Sequence, residues 1–68
     1  MNKLQFSVIK QLSFYRRELG EMEDTLALHR EKLPLGHMLI EEYECNVAAL
    51  KDAVEFTQMV LQDLRSNS

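Results

Sequence analysis

Two long stretches of patterned sequence flank one short break, Lys32-Leu33-Pro34-Leu35-Gly36-His37, and no other position carries a comparable helix stop. Proline has no N–H to donate, clashes with the preceding turn and pushes the residue before it out of the α region, so a first helix should end near Lys32 or Leu33. Gly36 then lets the backbone take either sign of φ. Pro34 alone would also suit a single kinked helix; Gly36 two residues later favours a full reversal. The break therefore predicts two antiparallel helices joined by a tight turn.

Heptad patterning on each side gives the helices a face. In the first segment Val8, Leu12, Tyr15, Leu19, Met22, Leu26, His29 and Leu33 recur at alternating steps of four and three. This places Leu12, Leu19, Leu26 and Leu33 at a, with Val8, Tyr15, Met22 and His29 at d. The second segment continues the alternation through Ile40, Tyr43, Val47, Leu50, Val54, Thr57, Leu61 and Leu64. There Ile40, Val47, Val54 and Leu61 stand at a.

The two seams test each other. In an antiparallel pair each a faces a d, so facing residues have numbers of constant sum. Setting His29 against Ile40 also sets Leu26 against Tyr43, Met22 against Val47, Leu19 against Leu50, Tyr15 against Val54, Leu12 against Thr57 and Val8 against Leu61. The same sum centres the reversal between Pro34 and Leu35. Break and heptads agree, as consistent levels of structure should.

The fold expected is all-α, an antiparallel two-helix coiled-coil hairpin forming one domain over 1–68. Its first helix spans about 3–33, its turn about 33–37 and its second helix about 37–65. Asn2 and Gln5 have the spacing of a capping box at the first helix start. Glu41, Glu42 and Glu44 bring negative charge toward the start of the second, and Arg65 brings positive charge to its end, both matching the helix dipole. Residues Ser66, Asn67 and Ser68 are expected to fray. Gly20 falls at b with Ser13 and Ala27, a strip of small residues whose simplest reading is a tolerated surface glycine.

Flanking columns distinguish the two sides of the hairpin. On the e side Arg30 can meet Glu44 and Glu23 can meet Lys51, exposed pairs that select register more than they stabilise. The c and g columns instead carry Leu39, Ala49, Ala53, Phe56 and Val60 on the second helix and Leu4, Phe14 and Leu28 on the first. Phe14 and Phe56 nearly match the pairing sum, and their rings are expected to lie close together. Phe6 and Ile9 fall toward the opposite flank, to fold over the hairpin end or make a second, smaller contact.

A chain of 68 residues with one seam sits near the size at which a single core barely offsets chain entropy. A contiguous apolar flank on such a chain marks an interface. Dimerisation into a four-helix bundle is the expected outcome, with a different protein as the other candidate occupant. Phe6, Ile9, Phe14, Leu28, Leu39, Ala53, Phe56 and Val60 are the candidate interface residues.

Charge and composition narrow the function. A net charge of −3 argues against electrostatic binding to nucleic acid or anionic membrane. The N-terminal residues are too polar for a secretory signal, and no apolar run is long enough to cross a bilayer. One cysteine, Cys45, excludes a disulfide framework and a cysteine zinc cluster, which makes a reducing, cytoplasmic setting the expectation.

Catalytic groups converging on a pocket are not foreseen, so no enzyme, cofactor or metal is expected. His37, Glu41 and Cys45 stand at i, i+4 and i+8, but the ends of such a line lie about 12 Å apart, too far for one tetrahedral ion. His29 is read as a partly exposed seam residue near the turn, with a proton-sensitive role as the alternative. Lys10, Arg16 and Arg17 form a small basic cluster followed at once by Glu18, Glu21, Glu23 and Asp24, the pattern of a solvated mixed-charge face. The reading that emerges is a small non-enzymatic interaction module, a regulator, inhibitor or adaptor, presenting helix surface to itself and to a protein partner. A dimeric DNA-associated regulator using the basic cluster is the alternative.

Overall fold

The computed structural model describes residues 2–67 and consists of two helices, α1 (Lys3–Lys32) and α2 (Met38–Ser66), packed against each other as a hairpin. The hairpin is a rod of 50 × 14 × 11 Å. Each end of each helix has a local cause.

At the start of α1 the capping box is complete. Asn2 Oδ1 accepts from the Gln5 N–H at 2.7 Å, and Gln5 Oε1 accepts from the Asn2 N–H at 3.4 Å. Two of the donors that a helix N-terminus leaves unpaired are thereby satisfied. The other end of α1 falls at Lys32, with Leu33 as its cap, within the limits set by Pro34. Leu33 is extended (φ −110, ψ 153), as a residue preceding proline must be, while its N–H still reaches the His29 carbonyl at 2.8 Å.

The chain then reverses over Pro34, Leu35 and Gly36. Gly36 has φ 81, in the left-handed region, and the His37 N–H closes the turn on the Pro34 carbonyl at 3.1 Å. His37 itself caps α2, its Nδ1 accepting from the Leu39 N–H at 3.1 Å. Glu41 lies in the first turn and Arg65 in the last. Helix α2 runs further than expected. Ser66 is helical rather than frayed, because Asn67 follows as the cap and donates its N–H to the Asp63 carbonyl at 3.1 Å. Ser68, also expected to fray, lies outside the described residues.

All sixteen seam positions read from the heptads are buried or half-buried. The core divides into two clusters along the rod. Val8, Leu12 and Leu61 pack at the open end with Ile9, Val54, Val60 and Leu64. Leu26, Ile40 and Val47 pack toward the turn with Leu19, Met22, Leu33 and Tyr43. The buried Thr57 is tolerated because its hydroxyl donates to the Ala53 carbonyl at 2.7 Å, within its own helix.

One further residue joins the seam beyond those in the heptad pattern. Gln5 is as buried as the aliphatic core and occupies the a position one heptad before Leu12. Its side chain crosses to α2, where Nε2 donates to the Leu64 carbonyl at 3.2 Å. Gln5 and Leu64 obey the same pairing sum as the other seam partners. A single seam has limits, however, and no side chain among the described residues is completely sealed from solvent.

Candidate functional site

The surface of a hairpin follows from its columns. Successive helical residues turn by about 100°, so g lies beside d at the edge of the seam and c lies further out, about 130° from the seam midline. On the other side e borders the seam and b lies beyond it. The two sides of this rod differ in chemistry.

The e side is polar and internally paired. Arg30 meets Glu44 and Glu23 meets Lys51, each at 3.9 Å between half-exposed side chains, which are the two pairs expected from the register. An open groove of about 720 Å³ runs along this side at the open end, floored by Leu12 and Leu61 and edged by Ile9, Arg16, Gln58 and Met59. A smaller one of about 330 Å³ lies beneath the two ion pairs. Both are shallow clefts between helices, of mixed lining.

The g and c side carries most of the large exposed apolar side chains, beside Glu18, Glu21, Glu42 and Asp63 in the same columns, while Met38 and Met59 on f and Leu35 in the turn are exposed elsewhere. Phe14 is 54% exposed, Phe56 67%, Leu28 48% and Leu39 43%. Leu4 is exposed on the same side. Ala53 and Val60, also on g, are half-buried, and Val60 packs against the open-end core. The exposed rings and aliphatic side chains thus sit outward of a partly covered g column.

One expectation about this side does not hold. Phe14 makes its ring contact with Tyr15, at 6.2 Å between centroids and 57° between planes, and among the described residues no ring contact joins it to Phe56. The two phenylalanines do stand level along the rod. Both occupy c columns, however, which diverge from the seam and hold the rings apart.

The remaining candidates separate. Ile9 turns inward and packs on the open-end core, whereas Phe6 stays 56% exposed with Lys10 Nζ over its ring at 5.5 Å. The basic cluster is divided between columns. Lys10 and Arg17 share f, while Arg16 borders the e-side groove.

Near the turn, His29 and Tyr43 stack with centroids 4.8 Å apart and planes within 6°. The His29 Nδ1 is buried and meets no hydrogen-bond partner among the described residues. His37 uses its Nδ1 as the cap of α2, and the described residues contain no group of three His, Cys, Asp or Glu arranged to hold a metal ion. Cys45 is exposed and is a free thiol. No helix among the described residues is long and apolar enough to cross a membrane.

No protein-family model matches the chain, and no curated protein or solved structure is detectably similar to it. The arrangement of its own side chains is therefore the basis for a functional reading.

Proposed function

We propose that this chain is a small non-enzymatic protein–protein interaction module, a regulator, inhibitor or adaptor, that works by presenting helix surface. In this reading two copies associate through their g and c columns into a four-helix bundle, and the faces left free engage a protein partner. The observation that carries it is the exposure of Phe14, Phe56, Leu28 and Leu39 on one side of a hairpin that has a single internal seam. Covering such side chains is favourable by roughly 25 cal/mol for each Å² of apolar surface removed from water. A second seam would also add to the core of a hairpin with one internal seam.

Sedimentation equilibrium on the full chain tests the first half of this reading. A mass twice that of the 8.0 kDa chain is expected. A folded monomer at all concentrations would overturn self-association and leave the flank as the partner site itself.

A further inference from the structure

Two rods that share one face can close into a symmetric dimer in two ways. A two-fold axis along the rods puts both turns at the same end and sets α1 of one copy against α2 of the other at equal heights. An axis across the rods puts the turns at opposite ends and sets each helix against its own copy. The heights of the flank residues, which follow from the seam register, distinguish the two.

With the axis along the rods, Phe14 of each copy meets Phe56 of the other, since the two stand level. Leu28 lies between Leu39 and Glu42 of the second copy. Glu18 and Glu21 come opposite Ala53 and Ala49, whose small side chains leave room for the longer ones to pass toward solvent. Overlap is complete along the 50 Å rod, because symmetry forbids any stagger.

The crossed arrangement fits less well. At full overlap Phe14 comes level with Glu21 of the second copy, and Leu39 lies one residue from the level of Asp63. Sliding the rods until Phe14 meets Leu28 moves the axis beside Glu21, which then faces its own symmetry mate, and carries Leu4 past the end of the other copy. Like charges set face to face oppose association.

We infer, on the reading that this flank self-associates, that the second copy packs with its turn at the same end, Phe14 of each chain against Phe56 of the other. The outward slant of the c columns suits this arrangement. Rings that miss each other within one hairpin are aimed at the helices of the next. Two acidic turn halves come side by side; Glu23, Glu31, Glu41 and Glu44 stand on the e, f and b columns, away from the flank, while Glu21 and Glu42, on its c columns, are offset in height by about 9 Å across the interface and do not meet face to face. At physiological salt, exposed charges separated by more than about 8 Å are largely screened.

The test is a distance between turns. Leu35 is 96% exposed in the turn and suits a spin label as Leu35→Cys, with Cys45→Ser removing the native thiol. Circular dichroism would establish that the labelled chain keeps its helices, and sedimentation its mass. In a dimer with turns together, helix spacings of about 10 Å put the two labels within about 25 Å by double electron–electron resonance. A dimer whose labels lie about 40 Å or more apart overturns the orientation and leaves self-association standing. A monomer overturns both.

Discussion

Gln5 and Leu64 are joined across the open end of the rod by a hydrogen bond of 3.2 Å, from the side-chain Nε2 of one to the carbonyl of the other. The Leu64 carbonyl lies in the last turn of α2, where a helix end leaves carbonyls short of backbone donors. Gln5 supplies a side-chain donor, and its Oε1 accepts from the Asn2 N–H at the same time. One side chain therefore caps α1 and fastens it to the final turn of α2, where no connecting loop holds the helices together.

Gln5→Ala removes the two side-chain bonds just described. It should lower stability by about 1–2 kcal/mol, the range for a lost cap combined with an unpaired carbonyl. Urea denaturation at fixed protein concentration measures this, and an unchanged midpoint would contradict the role assigned to the residue.

His29 presents the opposite case, a buried nitrogen without a partner among the described residues, in an otherwise favourable stack on Tyr43. His29→Phe keeps a flat ring against Tyr43 and removes the unpaired nitrogen. Leaving a buried polar atom unsatisfied costs about 1–3 kcal/mol, so the variant should be more stable by about 1 kcal/mol. Its thermal midpoint should rise; a fall would show that the nitrogen is satisfied in solution.

The two glycines should respond with opposite signs. Nothing lies within 4 Å of a Cβ built at either, so only backbone preference counts. At Gly36, with φ 81, Gly36→Ala should cost about 1–2 kcal/mol. Gly20 is inside α1, where Gly20→Ala should stabilise by about 1 kcal/mol. Equilibrium unfolding of both variants decides this, and a stability loss at position 20 would mean that another helix needs the space.

Charge on the e side should matter little to stability. Arg30 and Glu44 are 3.9 Å apart and about half exposed, so Glu44→Gln should change stability by less than about 0.5 kcal/mol. A larger loss in urea denaturation would show that the pair stabilises the hairpin as well as favouring its register.

Much of this architecture is legible in the residues themselves. Pro34 and Gly36 place the reversal, Asn2 and Gln5 place the first cap, and the constant pairing sum brings Arg30 to Glu44 and Glu23 to Lys51. What escaped follows from side-chain freedom and from residue type. Gln5 reads from its spacing to Asn2 as a capping residue, and an amide at an a position gives no apolar signal for the seam, although its pairing with Leu64 follows the same rule as the rest. The capping role of His37 and the stack of His29 on Tyr43 depend on rotamers that spacing does not encode. The pairing sum matches Phe14 and Phe56 in height along the rod, but the angle of their columns, which separates them, needs the helical wheel as well as the sum. The exposed flank was visible in the c and g columns, whereas an occupant is a property of two molecules and is not written in one hairpin's pattern.

The claim that this flank is the self-association surface is tested most directly by comparing two double variants in sedimentation equilibrium. Phe14→Glu with Phe56→Glu places charge on the c columns, and Ser13→Glu with Ala48→Glu places the same charge on the exposed b columns of the opposite side. The expected result is that the first pair yields folded monomers while the second remains dimeric like the native chain. A first pair that stays dimeric, or a second that alone dissociates, would contradict the assignment and move the interface to the e and b side.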